Sequence, residues 1–247
     1  MRPIYREQFL IPHAAVDRYS RLKKSWLLAL AQEVAGAHFA LLNAHKESLE
    51  EKGLFWAVIR HRVEIARLPG PGETITLETW PMPTTRVAYP RATVAYDGEG
   101  RVVFRSVSLW VLMDTDTRAM VLPGKSGVSV EGILRGDESA APGSLAPKPL
   151  ANRQGRRVGY TELDGNGHVN NTRYLDWIDD LQSSAFHSAH SPKEFTVCYL
   201  SEAMEGEALE LRWELLDGGE LRAEAQRTTG VGGSGHERVF SAQVLYE

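Results

Sequence analysis

The chain has 247 residues, 43% of them hydrophobic and 24% charged, enough to bury the core of one large domain or of two domains of about 120 residues each. Lys and Arg total 28 against 32 Asp and Glu, and the formal net charge of -4 argues against a nucleic-acid backbone as the main partner. The single cysteine, Cys198, excludes an internal disulfide framework and any Cys-cluster metal site, and fits a reducing compartment.

Residues 1–7 carry positive charges with no long apolar stretch after them, so no secretory signal is expected. No apolar run approaches the ~20 residues that a bilayer requires, and a cytoplasmic protein without membrane insertion is expected. Residues 22–42 place Trp26, Leu30, Val34, Ala37 and Leu41 at spacings of three and four, the period of an amphipathic helix with that stripe turned inward. After Gly53 come runs rich in β-branched and aromatic residues at 55–66, 74–80, 86–96 and 102–113. Turn chemistry separates them, at Pro69-Gly70-Pro71-Gly72, Pro81-Met82-Pro83 and Asp97-Gly98-Glu99-Gly100. One long helix followed by an antiparallel meander predicts an α+β arrangement in which the sheet wraps the helix.

From 123 to about 149 the composition turns to Gly, Ser, Ala, Pro and scattered charges without apolar period, the look of a linker or a loosely packed excursion. The boundaries expected are 1–125 for a first domain, 126–150 for the linker and 151–247 for a second domain. In the second, an extended piece at 157–163 precedes a helical stretch with Tyr174, Trp177, Ile178, Leu181 and Ala185 on one face. Strand-like runs follow at 195–200, 208–216, 221–228 and 239–246. Gly232-Gly233-Ser234-Gly235 reads as a hairpin loop, because a strand follows it where a nucleophile elbow would require a helix. Two helix-then-meander halves suggest a duplicated fold.

Residues 162–177 concentrate the chemistry: Asp164, Asn166 and His168 alternate with Gly165 and Gly167 and run into the second helix. Glycines permit left-handed turns at no steric cost. The N–H groups of Val169, Asn170 and Asn171, at the expected helix start, are candidates to stabilise the oxygen that becomes negative when a carbonyl is attacked. The bland alternative is an Asx-rich turn at Asp164 and Asn166, a cap at Asn171 or Thr172, and a surface His168. His187 and His190 have a spacing seen in metal sites, but no acid or cysteine completes a ligand set, so no metal is expected.

The run Asp164-Gly165-Asn166-Gly167-His168-Val169-Asn170-Asn171, with Tyr174 and Trp177 after it, closely resembles the signature of acyl-acyl carrier protein thioesterases. Gln32-Glu33-Val34-Ala35 with His38, Thr79-Trp80-Pro81, Arg91, Ser108-Leu109-Trp110 and Met113-Asp114 resemble the family's first-domain pattern. The resemblance implies two tandem hotdog domains, each a long helix wrapped by an antiparallel β-sheet. It implies an active site in the second domain at Asp164, Asn166 and His168, with a further acid, Glu202, in Tyr199-Leu200-Ser201-Glu202. Many plant members carry a cysteine after that Glu, once proposed as a nucleophile; here the position is Ala203, which favours direct attack by water.

The expected mechanism makes Glu202 the general base for that water. His168 and the helix-start N–H groups polarise the carbonyl, Asn166 orients Asp164 and His168, and Asp164 fixes the imidazole. Trp56 and Val58 are candidates for the acyl pocket of the first domain, as is His38, although a helical histidine beside an apolar face is more often structural. The implied partner is an acyl carrier protein bearing a fatty acyl chain, and no cofactor is implied. Arg86, Arg91, Arg101, Arg105, Arg153, Arg156 and Arg157 are candidates for a carrier-docking patch or are scattered solvated charges. An acyl-CoA thioesterase, a hotdog hydratase (whose Asp-x-Asn-Pro-x-His string differs from this one) and a non-catalytic acyl-binding protein are the rival readings. A homodimer stays open.

Overall fold

The computed structural model describes residues 3–42, 49–228 and 236–247; the glycine-rich hairpin loop expected at 232–235 lies outside the described residues. The chain divides into unit 1, Met1–Pro142, and unit 2, Gly143–Glu247.

In unit 1, strand β1 (Tyr5–Leu10) and helix α1 (Lys24–Leu41) precede β2 (Leu54–Ile65), β3 (Thr74–Pro81), β4 (Tyr89–Tyr96), β5 (Val102–Asp114), the two-residue β6 (Met120–Val121) and a single helical turn, α2 (Pro123–Ser126). The sheet order is β1-β3-β4-β5-β2 with β6 beside β5, every pairing antiparallel. The expected long helix and four strands are present, but only β3, β4 and β5 follow one another as a meander, because β2 pairs with β5 and not with β3. The inward stripe of α1 keeps Leu30 and Val34 and otherwise differs: Leu27, Leu28, Ala31, Ala35, His38 and Phe39 are buried with them, whereas Leu41 is 60% exposed. Almost every position from 26 to 35 is apolar, so several stripes of helical period compete, and a broad sheet selects the one with two neighbouring residues per turn. Each fully buried Leu or Val among them contributes roughly 1.5–3 kcal/mol.

The first part of the expected linker, 127–142, is an ordered strap on unit 1. Ile133 and the Trp80, Ala92, Val94, Val107 cluster pack together, and Ile133 N–H donates to Pro81 O at 2.9 Å. Glu138 accepts the Trp80 indole N–H at 3.2 Å and Gly136 N–H at 2.7 Å, while Arg135 lies 4.5 Å from the Trp80 ring centre. Contact is so close that a Cβ on Gly132 would sit 2.1 Å from Met82 O. Gly132→Ala is therefore expected to cost about 1–3 kcal/mol of stability, the usual price of overpacking, read as a lowered thermal midpoint; an unchanged midpoint would show that the strap is loosely held.

Unit 2 contains β7 (Asn152–Arg157), helices α3 (Arg173–Asp179) and α4 (Ser184–Ala189), and strands β8 (Pro192–Tyr199), β9 (Ala208–Leu216), β10 (Glu220–Thr228) and β11 (His236–Tyr246). Its sheet order is β8-β11-β10-β9-β7, again antiparallel. The expected helix is two short ones: Ser183 adopts an extended ψ of 159° and its hydroxyl accepts Phe186 N–H, capping a new helix and ending the old one's run. Tyr174, Leu175, Trp177 and Ile178 of α3 are buried, and the Tyr174 and Trp177 rings lie 4.7 and 6.2 Å from that of Phe240 on β11.

Candidate functional site

Between β7 and α3 the chain makes a 3-10 turn, Tyr160–Glu162, and then a narrow hairpin. Leu163 bridges Val169, Asp164 N–H donates to His168 O at 2.9 Å, and Asn170 N–H donates to Glu162 O at 2.9 Å. At the tip, Asp164 Oδ1 accepts Asn166 N–H at 2.8 Å in an Asx turn, and Gly167 takes a φ of +83° that a side chain would resist.

This tip points an imidazole between two carboxylates. His168 Nδ1 lies 3.5 Å from Asp164 Oδ2, and its Nε2 lies 3.6 Å from Glu202 Oε1. Glu202 is the most open of the three at 41% side-chain exposure, against 22% for Asp164 and 17% for His168. The loop that carries Glu202 is zipped to the hairpin by Val169 N–H, which donates to Ala203 O at 2.9 Å, and by a bridge between His168 and Met204. Arg227 on β10 clamps that loop from behind, donating to Ser201 Oγ at 2.8 Å, to Glu202 O and to Glu207 Oε2 at 3.0 Å.

The Asn166 carboxamide is exposed and makes no hydrogen bond among the described residues. The orienting role expected of it belongs to its main-chain N–H, because the Asx turn brings that group, not the side chain, to Asp164. The oxyanion role expected of Val169 and Asn170 also needs correction. Both N–H groups are consumed by the hairpin, donating to Ala203 O and Glu162 O, so neither can take a further acceptor. Helix α3 starts beyond them, after Thr172, whose N–H and hydroxyl donate to Asn170 Oδ1 at 3.0 and 2.8 Å. Asn171 is held through its carbonyl, which accepts the Tyr199 hydroxyl at 3.1 Å.

Tyr174 floors this region, its ring 4.9 Å from Trp177 and 5.8 Å from Tyr199. Burial pushes its phenol well above the ordinary range, with Arg227 opposing and Glu207, Asp164 and Glu202 adding to the push, so the hydroxyl is neutral. Cys198 is 2% exposed and its Sγ faces Gly143 O at 3.7 Å, which removes it from contention as a nucleophile. His187 Nε2 and His190 Nδ1 pair with main-chain carbonyls, Asp179 O and Phe186 O, at 2.9 Å each. Among the described residues no His/Cys/Asp/Glu cluster is suited to a metal, and no helix is long and apolar enough to cross a membrane.

In unit 1, Trp56 and Val58 are half-buried and two apart on β2, and the Trp56 ring stacks on Phe39 of α1 at 5.0 Å. His38 is not a pocket wall. It is 1% exposed, paired with Arg91 at 3.2 Å and stacked on Tyr5 at 5.9 Å, because α1 turns it toward the sheet. The arginines expected as a docking patch are largely engaged: Arg91 is buried, Arg101 pairs with Asp97, Arg105 donates to Asp137 O, and Arg156 pairs with Glu162. Burial holds the Arg91 guanidinium down, to about 9. Two supporting residues escaped the sequence reading. Glu162 had a signal, the Gly159-x-x-Glu162 spacing of a side chain reaching back to a turn start; Arg227 had none, being one charge in an alternating strand.

Two sequence families describe this chain in succession. The acyl-ACP thioesterase N-terminal domain matches residues 2–122, and the acyl-ACP thioesterase C-terminal domain matches residues 147–238. The oleoyl-acyl carrier protein thioesterase 2 of Arabidopsis thaliana is 24% identical over 234 residues, 83% of this chain and 61% of that protein. A dodecanoyl-[acyl-carrier-protein] hydrolase of Cinnamomum camphora is 27% identical over 163 residues, 62% of this chain and 43% of that protein. The chain thus spans about three fifths of the Arabidopsis protein's length, the 61% just given. The crystal structure of an acyl-ACP thioesterase from Bacteroides thetaiotaomicron superposes with a TM-score of 0.85 at 23% identity, covering 99% of this chain and 98% of that one. The 12:0-ACP thioesterase from Umbellularia californica gives 0.81 at 21% identity, covering 100% and 98%. The fold is theirs, α+β with two tandem hotdog domains.

Proposed function

Because the chain belongs to the acyl-ACP thioesterase family, we propose that it hydrolyses the thioester of acyl-acyl carrier protein, releasing a free fatty acid and ending chain elongation in fatty acid biosynthesis. The observation that carries this reading is the placement of His168 between the carboxylates of Asp164 and Glu202 on a loop open to water. The acyl-carrier-protein substrates for which the plant relatives are named support the same substrate class.

The geometry suits direct attack by water. Glu202, the open carboxylate, takes a proton from a water whose oxygen adds to the thioester carbon. The electron pair of the carbonyl moves onto its oxygen, and the free Asn166 carboxamide is the donor we assign to it, in place of the spent N–H groups. Collapse of this intermediate expels sulfur, which takes a proton relayed from Glu202 through His168 Nε2. Asp164, 3.5 Å from the other nitrogen of the ring, stabilises the transient imidazolium. The products are a carboxylic acid and a thiol, with every atom of the water accounted for. In unit 1 the apolar face of β2 with Trp56 and Val58 is the surface we assign to the acyl chain.

The test presents one acyl chain on carrier protein and on coenzyme A, at several lengths. Hydrolysis with a higher kcat/KM on the carrier protein is expected, and Cys198→Ala is expected to keep wild-type turnover. A preference for coenzyme A would move the protein to acyl-CoA hydrolysis, and no hydrolysis of either would leave only an acyl-binding role.

A further inference from the structure

Glu162 stands two residues before Asp164, and its side chain is 14% exposed. A carboxylate withdrawn this far from water is costly unless its oxygens are satisfied. Here Oε1 accepts the Trp177 indole N–H at 2.7 Å and the Arg156 guanidinium, and Oε2 accepts Gly159 N–H at 2.8 Å. Arg156 in turn lies 4.4 Å from the centre of the Trp177 ring. One side chain thus joins β7, the 3-10 turn and α3. The main chain of the same residue closes the root of the catalytic hairpin, its carbonyl accepting Asn170 N–H at 2.9 Å.

The hairpin is held on its other side by the Val169 to Ala203 bond, the rung that faces the Glu202 loop. With its root loosened, the hairpin would pivot on that rung. The two gaps of His168, 3.5 and 3.6 Å, are already at the outer edge of direct hydrogen bonding. A tilt of a few tenths of an ångström, in the ~0.5 Å range where catalytic geometry is decided, would open one of them.

We infer that Glu162 is a positioning residue: its contacts to Trp177, Arg156 and Gly159 set where the hairpin tip holds His168 between Asp164 and Glu202. The catalytic consequence rests on the function proposed above; the geometric one does not. Burial alone would push the Glu162 carboxyl up, but the hydrogen bonds from Gly159, Arg156 and Trp177 and the charge of Arg156 outweigh it and hold the group below its ordinary range. The ionised form, which alone offers acceptors to all three donors, is therefore the working form.

Glu162→Gln tests this most directly. An amide has one acceptor oxygen. Turned toward Trp177 and Arg156, it sets its NH2 against Gly159 N–H; turned the other way, it sets NH2 against the indole. The variant and the wild type are compared at 25 °C, with folding checked by circular dichroism. The readouts are kcat and KM on acyl-carrier substrate, and the ring resonances of His168 followed by NMR through a pH titration. The expected result is a kcat lowered about tenfold or more, with KM within about threefold, since sub-ångström misplacement acts on the chemical step. The His168 signals and their titration midpoint are expected to move as well.

A folded Glu162→Gln with wild-type kcat and unmoved His168 signals would overturn the proposal and leave Glu162 a structural residue. Displaced His168 signals in a protein whose wild type hydrolyses no thioester would uphold the positioning role and overturn the hydrolase reading. If Glu162→Gln does not fold, Trp177→Phe removes a single N–H and keeps the ring. It is expected to displace the same resonances and lower kcat about threefold, a smaller share of the same misplacement cost; no displacement in that variant would equally overturn the proposal.

Discussion

His168→Ala is expected to lower kcat by about a thousandfold, within the range seen when a proton-transferring group is removed, with the fold intact. The side chain faces both carboxylates, at 3.5 Å from Asp164 and 3.6 Å from Glu202. Without it, a proton taken up by Glu202 has no relay to the leaving sulfur, and Asp164 has no ring to hold. The main chain of His168 does separate work, accepting Asp164 N–H and bridging Met204, and alanine keeps both contacts. Thermal unfolding should therefore stay close to wild type. Asp164→Asn should cost less, about a hundredfold. Its amide oxygen can keep the Asx bond to Asn166 N–H, while its NH2 would face the Nδ1 proton and misalign the ring. A folded His168→Ala within tenfold of wild type would show that the imidazole is a bystander.

The candidate loop was legible in the sequence because its demands are local. Gly167 at positive φ, the Asx turn at Asp164 and the run into α3 all follow from residues within ten positions of one another. The supply of donors was not legible, since Val169 and Asn170 lose their N–H groups to Ala203, 34 positions on, and to Glu162; pairing register is a tertiary fact. The same division runs through the fold. Strands such as β3 and β5 stood out as runs rich in β-branched and aromatic residues, whereas β7 contains only Asn, Arg, Gln and Gly and exists through its ladder to β9. An edge strand of that kind has polar side chains on both faces and no periodic signal. Strand β1 is similar, half-buried in alternation and ending at Leu10, which is 67% exposed. Arg91 reads as a surface charge, yet its register opposite Pro81 sends its guanidinium to Thr79 Oγ1 and under His38 and Phe39 of α1.

Trp80→Ala is expected to cost about 3–5 kcal/mol, the loss usual for deleting a buried tryptophan, and so to take a large share of the 5–15 kcal/mol typical of a folded domain. Trp80 is fully buried at the centre of the cluster with Ala92, Val94 and Val107. It is also the apolar anchor under the 127–142 strap: Ile133 packs on its cluster, Arg135 covers its ring, and Glu138 accepts its N–H. The strap has no helix or strand of its own to hold it once that anchor is gone. Glu138 sharpens the point, because burial would push its carboxyl up, while the N–H groups of Arg135, Glu138 and Gly136 and the Trp80 indole together hold it below the ordinary range. A group with a depressed folded-state value stabilises above its unfolded value and loses that contribution as the pH falls through the folded one. The acid limb of stability should therefore shrink in Trp80→Ala, and limited proteolysis should cut within 127–142 before it cuts the sheet. A midpoint within about 3 °C of wild type, against the ~2–4 °C expected per kcal/mol at this size, together with an uncut strap, would mean that the segment holds itself in place without the indole.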